Sequence, residues 1–272
     1  MHVPYSPQER DHVRAYLAGL AALPMNLPAD ARVLGSWISA PGSGPGAVLY
    51  VHGGAFVMAQ PEIEAVMAYR LSQTLRRPVR HVDYRLAPAH PFPAAMDDVV
   101  AAYRAVLAQG VRPEDVLVFG ESAGGAIALS ALLELKRAGA AMPRGAALFA
   151  PVTDLTLSGG SLRGGAGLDI LPPDLLAVSV AAYLDGAEPD RAPQSPLHGD
   201  LAGLPPLLVA VGGDEILLDD ALRLTRAARE AGVDVRLEVH EGLPHAFHAV
   251  ALTEPDQPVM RGLGEWAADL RV

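Results

Sequence analysis

Short apolar runs alternate along the chain with longer segments in which apolar residues recur at helical spacing. The short runs predict strands and the longer segments predict helices. The predicted strands are 34–40, 47–52, 78–84, 116–119, 146–150, 207–211 and 235–240. The predicted helices are 6–23, 62–75, 94–109, 123–138, 174–184, 218–231 and 259–270. Because the strands are apolar on both faces and alternate with helices, we predict an α/β fold with a mostly parallel sheet covered by helices on both faces.

One segment interrupts this alternation. Residues 155–204 separate two predicted strands by far more than an ordinary crossover, and they contain a glycine-rich stretch followed by a helical one. A long insertion on a compact α/β scaffold is usually functional, often as a lid over the site. We therefore expect a single domain over 1–272 that carries a cap.

Composition narrows the classes of function. The 272 residues carry a formal net charge of −10, which argues against nucleic acid and anionic membrane surfaces as partners. The absence of cysteine excludes disulfides, thiolate metal sites and a cysteine nucleophile. The first residues lack the basic and apolar layout of a signal peptide, and no apolar run is long enough to span a membrane. We therefore expect a cytoplasmic protein.

Two glycine motifs follow predicted strands. Gly120-Glu121-Ser122-Ala123-Gly124 lies between a strand and a helix, the context in which a serine hydroxyl is raised above a parallel sheet. His52-Gly53-Gly54-Ala55-Phe56 follows the strand before it, where backbone N–H groups can stabilise a developing oxyanion. Either motif alone fits a glycine turn, but their order and their spacing of about 70 residues favour a serine hydrolase.

An acid and a histidine must then follow the serine, in that order. Asp214 comes just after a predicted strand, at the sheet edge where active sites lie. Glu215 is its rival, whereas Asp219 and Asp220 fit the negative charges expected at the start of the next helix. His245 lies on the loop after the strand 235–240, and His248 is the fallback for the base.

At this point the chain resembles the bacterial hormone-sensitive-lipase-like esterases, a branch of the α/β-hydrolases. The two glycine motifs are similar to the family's His-Gly-Gly-Gly-Phe and Gly-Asp-Ser-Ala-Gly-Gly. The block from Asp83 to Ala95, Asp-Tyr-Arg-Leu-Ala-Pro-Ala-His-Pro-Phe-Pro-Ala-Ala, matches the family's own block almost completely. The resemblance covers about residues 46–270, and it implies an α/β-hydrolase fold with a helical cap.

Carried over residue by residue, the resemblance implies a catalytic set and an oxyanion hole. Ser122 is the expected nucleophile, Asp214 the acid and His245 the base, and the N–H groups of Gly53, Gly54 and Ala123 are the expected oxyanion donors. Two departures stand out. Ala55 replaces the family's third glycine, and the region before residue 46 is shorter than in the family. We therefore expect a reduced cap built from about residues 1–30 and 155–204, with a more open site.

The predicted function is that of a serine carboxylesterase that hydrolyses small, apolar short-chain acyl esters through an acyl-enzyme. The alternative is an arylformamidase or another amidase-type serine hydrolase, and a third candidate is a non-catalytic ligand-binding relative. The expected partner is a small ester, with no nucleic acid and no membrane. Homodimers are common among similar esterases, so a second copy of the chain is a candidate partner. No metal is expected, because the histidines show no H-E-x-x-H or comparable metal-ligand spacing. No cofactor is expected, because no Walker or dinucleotide-binding motif stands in the right place.

Overall fold

A nine-stranded sheet runs through the molecule. The structure is a computed structural model, and it describes residues 1–164 and 167–270. The strands are β1 His2–Val3, β2 Arg32–Leu34, β3 Trp37–Ser39, β4 Ala47–Val51, β5 Val79–His81, β6 Val116–Glu121, β7 Gly145–Phe149, β8 Leu207–Gly212 and β9 Val235–His240. Their order in the sheet is β1-β9-β8-β7-β6-β4-β5-β3-β2, and only the β2–β3 and β3–β5 pairs are antiparallel.

Helices cover both faces of this sheet. They are α1 Pro7–Gly19, α2 Pro61–Leu75, α3 Ala94–Ala108, α4 Ala123–Arg137, α5 Ser161–Gly164, α6 Pro173–Leu184, α7 Leu218–Glu230 and α8 Pro258–Asp269. A further six-residue 3₁₀ helix spans Phe247–Leu252. The predicted mostly parallel sheet between two helical layers is confirmed.

Alternation along the strands explains the two layers. In β4, Leu49 and Val51 belong to the core shared with α3, α4, α6 and α7, whereas Val48 and Tyr50 belong to the core shared with α1, α2 and α8. All five residues of β4 are buried. A strand that is covered on both faces must be apolar at successive positions, which is the pattern in the sequence.

At the margins of the sheet, one strand prediction needed correction and one strand was missed. The single predicted strand 34–40 is a hairpin of β2 and β3, because Gly35 takes a left-handed φ of +57° and reverses the chain between them. The two-residue β1 was not predicted; it pairs in parallel with the end of β9. No helix among the described residues combines the length and apolarity needed to cross a membrane.

The insertion contains α5 and α6. Leu176, Val180 and Tyr183 of α6 are buried against the core on the α3 and α4 side. The predicted glycine-rich stretch of the insertion extends into residues 165–166, which lie outside the described residues.

Candidate active site

Ser122 occupies a tight turn between β6 and α4. Its backbone has φ +52° and ψ −124°, a conformation that a residue with a side chain rarely adopts. The turn is fixed because the Ser122 N–H donates to the carbonyl of Phe149 at 2.8 Å and its own carbonyl accepts from Gly125 at 3.0 Å. This is the strand–turn–helix geometry in which a nucleophilic serine is exposed at the carboxyl edge of a sheet.

The glycines around Ser122 are required by close packing. A Cβ at Gly124 would lie 2.2 Å from the carbonyl oxygens of Val51 and His52, and a Cβ at Gly120 would lie 2.6 Å from the carbonyl oxygen of Gly124. A side chain at Gly124 would push α4 away from β4, and one at Gly120 would push it away from β6. The G-x-S-x-G spacing therefore lets strand, turn and helix approach closely enough to form the turn.

His245 connects the serine to a carboxylate. Its Nε2 lies 3.0 Å from the Oγ of Ser122, and its Nδ1 lies 3.0 Å from the Oε2 of Glu215. His245 is on the loop after β9 and Glu215 is on the loop after β8, so the three side chains meet at the carboxyl ends of parallel strands. An imidazole held between a hydroxyl and a buried carboxylate can take the hydroxyl proton.

The structure corrects the predicted partner of the imidazole from Asp214 to Glu215. The Oδ2 of Asp214 accepts from Arg14 of α1 at 2.8 Å, and about 29% of the Asp214 side chain is exposed. Glu215 is fully buried beside the imidazole. Both carboxylates follow the same strand, but only the side chain at 215 points into the site.

Burial and charge set the protonation behaviour of this pair. Burial raises the pKa of Glu215 above its usual range, although its hydrogen bond with His245 opposes the shift. Burial alone would lower the pKa of His245, but the hydrogen bond and charge of Glu215, together with the charge of Asp169, outweigh it and raise that pKa. The imidazole is therefore a stronger base than a free histidine.

The loop after β4 lies directly against the serine. A Cβ at Gly53 would lie 3.4 Å from the Cβ of Ser122. The N–H groups of Gly53, Gly54 and Ala123 donate no hydrogen bond within the part of the chain that the structure describes. Unpaired N–H groups beside a nucleophile, one of them at a helix N-terminus, form a site that can bind an oxyanion.

His52 and Tyr84 support that loop from behind. The Tyr84 hydroxyl donates to the carbonyl of His52 at 2.9 Å, and the two rings stack at 4.1 Å. Arg85, in the same Asp-Tyr-Arg block, instead binds Asp98 at 2.9 Å near the surface. The block thus shapes the glycine loop, and neither Tyr84 nor Arg85 lines the cavity over Ser122.

One group among the described residues has the donor types of a metal site. His52, Glu64 and His81 bring ligand atoms within 4.8 Å of one another in a buried position. However, the Nδ1 of His52 lies 2.6 Å from the carbonyl oxygen of Gly53, which can only accept, so this nitrogen carries a proton. This protonated nitrogen is the one that faces Glu64, at 3.3 Å, so it cannot be a metal ligand there, and the cluster fits a hydrogen-bonded support of the glycine loop better than a metal site.

A second pair of a histidine and a carboxylate lies next to the serine. The carboxylate of Glu121 contacts Nε2 of His248 and accepts a hydrogen bond from the hydroxyl of Tyr50. His248 is therefore occupied by Glu121, and it is His245 that contacts the serine. The pair links the turn at Ser122 to the 3₁₀ helix that follows the histidine loop.

A cavity of about 430 Å³ opens over Ser122 and His245. Its walls are mostly apolar, and they come from the N-terminal segment, α2, the insertion and the 3₁₀ helix. The larger apolar side chains of the lining belong to Leu20, Met58, Ile63, Met67, Ile170, Leu171, Leu175 and Leu252. An apolar cavity with a few polar groups at one end is the usual form of a site for a small organic ligand.

Sequence reasoning placed most of these groups and missed two. Ser122, His245 and the glycines of the oxyanion loop were predicted at the positions the structure brings together. Glu215 was weighed only as a rival, and Asp169 of the insertion, whose carboxylate accepts from the N–H of His245 at 2.7 Å, was not predicted. No local pattern marks Asp169, because the two loops that it contacts, at Ile216 and His245, lie more than 40 residues away in the chain.

Comparison with known proteins agrees with this fold. The model of a family described as having an alpha/beta hydrolase fold matches residues 48–249. The chain belongs to this family of α/β-hydrolases.

Similar proteins show to which branch of the α/β-hydrolase family the chain belongs. An esterase from Acinetobacter venetianus is 37% identical over 243 residues, which are 88% of this chain and 80% of that protein. An acetyl-hydrolase from Streptomyces hygroscopicus is 39% identical over 74% of this chain and 68% of its own length. The crystal structure of an esterase from the bacterial hormone-sensitive lipase family superposes with a TM-score of 0.90 at 35% identity, covering 98% of this chain and 99% of that one. The chain is thus a hormone-sensitive-lipase-like member of the family and a carboxylic-ester hydrolase of the serine type, and the amidase alternative is not favoured.

Proposed function

We propose that Ser122, Glu215 and His245 form the catalytic triad of an esterase that acts on small esters with short, apolar acyl groups. The observation that supports this most directly is the pair of 3.0 Å contacts that His245 makes, one to the Oγ of Ser122 and one to Glu215. The acetyl group in the name of one relative and the modest apolar cavity support the short acyl chain.

Each residue then has a defined role in the reaction. His245 removes the proton of Ser122 as the hydroxyl attacks the ester carbonyl, and later returns it to the leaving alcohol. Glu215 holds the Nδ1–H tautomer and stabilises the imidazolium. The N–H groups of Gly53, Gly54 and Ala123 bind the oxyanion, and each such donor contributes about 100- to 1,000-fold in kcat. Water, activated by His245, then hydrolyses the acyl-enzyme.

The cap and the partners are part of the same proposal. The N-terminal segment of about residues 1–30 and the insertion 155–204 both contribute to the cavity wall, through Leu20 and Leu171 among others, which supports their action as a reduced cap. The net charge of −10 supports a small ester rather than nucleic acid or an anionic membrane as the partner. The homodimer and the cytoplasmic location predicted from the sequence stay predictions, for which sedimentation analysis and cell fractionation are the tests.

Active-site labelling tests the proposal. A fluorophosphonate probe should label Ser122, as found by peptide mapping, and Ser122→Ala should neither be labelled nor hydrolyse p-nitrophenyl acetate. Ser130→Ala, which removes a buried hydroxyl two turns further along α4, is the matched control and should still be labelled. Activity of Ser122→Ala above a tenth of wild type would disprove the nucleophile assignment.

A further inference from the structure

Asp169, in the insertion, contacts the backbones of both catalytic loops. Its Oδ2 accepts from the N–H of Ile216 at 2.8 Å, and Ile216 directly follows Glu215. Its Oδ1 accepts from the N–H of His245 at 2.7 Å. A single carboxylate thus bridges the loop after β8, at the residue next to Glu215, and the loop after β9, at His245 itself.

The chain around Asp169 is itself held in place. Arg14 of α1 donates to the carbonyl of Leu168 at 2.6 Å, and the same guanidinium binds Asp214 at 2.8 Å and the carbonyl of Gly242 at 3.1 Å. We call residues 168–170 the strap. The strap is therefore attached to α1 on one side and to both catalytic loops on the other.

We propose that Asp169 is a positioning residue, which holds the backbones next to Glu215 and His245 so that the carboxylate and the imidazole stay aligned with Ser122. This inference rests on the proposed function, because it assigns Asp169 a role only through those residues. Asp169 itself touches no reacting atom. It acts by fixing two main-chain N–H groups, one on each of the two loops.

The charge of Asp169 also acts on the imidazole. Glu215, Asp169 and Glu121 are the negative groups that face His245, and all three favour its protonated form. Asp214 is paired with Arg14, so its charge is balanced locally, and the carboxylate of Glu121 is in contact with His248. Asp169 has no cationic partner in the part of the chain that the structure describes, so its removal should lower the pKa of His245.

Three substitutions at this position separate the effect of geometry from that of charge. Asp169→Asn removes the charge and replaces one of the two acceptor oxygens by a donor, which then faces a backbone N–H. Asp169→Glu keeps the charge but changes the reach, and Asp169→Ala removes both. Asp174→Asn is the matched control, since Asp174 is an exposed carboxylate of the same insertion with no side-chain hydrogen bond among the described residues.

The experiment measures kcat per labelled serine, KM and the pH profile with p-nitrophenyl acetate. We expect kcat to fall about 10- to 100-fold in Asp169→Asn and Asp169→Ala with KM within about twofold, because a misplacement of about 1 Å can cost 100-fold. The acid limb of kcat/KM should move to lower pH in Asp169→Asn and stay in place in Asp169→Glu. Asp174→Asn should match wild type in all three quantities.

The contrary outcome is equally specific. If Asp169→Asn keeps kcat per labelled serine within twofold and leaves the acid limb in place, Asp169 only attaches the insertion and the proposal is wrong, even if its melting temperature falls. Should Asp169→Ala fail to fold, Asp169→Asn decides alone. Retained activity in Ser122→Ala would instead overturn the proposed function itself, which these variants do not test.

Discussion

The carboxylate of Glu215 lies 3.0 Å from Nδ1 of His245, while its neighbour Asp214 is directed to Arg14. The two acids therefore have separate tasks. Glu215 is buried and faces the imidazole, and Asp214 joins the loop after β8 to the N-terminal helix.

Replacing each acid by its amide should separate these tasks. Glu215→Gln should lower kcat by about 10⁴-fold, as expected when a triad acid loses its charge and no longer fixes the imidazole tautomer. Asp214→Asn should keep kcat within a few-fold and cost at most about 1 kcal/mol in the free energy of unfolding, because its ion pair with Arg14 is about a third exposed. Steady-state kinetics and urea unfolding measure both effects. If Asp214→Asn loses its activity and Glu215→Gln keeps it, Asp214 is the triad acid, as the sequence predicted.

The limits of sequence reasoning are visible at this pair. Both acids satisfy the chain order of the triad and both follow β8, so neither motif nor spacing separates them. What separates them is the direction of the side chain after the strand ends, which depends on backbone angles in an irregular loop. The sheet was easier to predict, because β4, β6, β7 and β8 are apolar at successive positions and alternate with helical segments. The hairpin at Gly35 joins two strands of three residues each, which are too short to show a pattern of their own. The contacts of Asp169 with Ile216 and His245 join segments far apart in the sequence, and no local pattern encodes them.

The pH profile follows from the basicity of His245. The reaction needs the neutral imidazole, so kcat/KM falls as the pH drops through the pKa of His245. Because Glu215 and Asp169 raise that pKa, the acid limb should have its midpoint above about 6.5, the ordinary value for histidine. In Glu215→Gln the largest of these favourable contributions is lost, so the residual activity should have its acid limb at lower pH. A midpoint that is the same in both proteins would show that another group controls the limb.

Two positions of the oxyanion loop should respond in opposite ways to exchange of glycine and alanine. Gly54 has φ +112°, and a Cβ there would lie 2.1 Å from the carbonyl oxygen of Met58. Gly54→Ala should therefore displace an oxyanion donor and lower kcat by about 100- to 1,000-fold.

Ala55 already carries a side chain at φ +51°, so Ala55→Gly relieves strain while it loses a small buried methyl group. We expect Ala55→Gly to change the free energy of unfolding by less than about 1 kcal/mol and kcat by only a few-fold. A severe loss in Ala55→Gly would mean that this methyl group shapes the site.

Chain-length preference should report on the cap. With p-nitrophenyl esters, kcat/KM should rise as the acyl chain fills the apolar cavity, at about 0.8 kcal/mol per methylene, peak between about two and six carbons, and then fall.

Leu175 and Val178 lie one turn apart on α6, but only Leu175 lines the cavity, whereas Val178 is 70% exposed. Leu175→Trp should therefore reduce kcat/KM for hexanoate more than for acetate, and Val178→Trp should leave the series unchanged. Equal losses at every length would place Leu175 on the alcohol side of the cavity. A peak at palmitate, or a jump in rate on emulsified substrate, would contradict both the short-chain preference and the proposed reduced cap, which would provide no extended acyl tunnel.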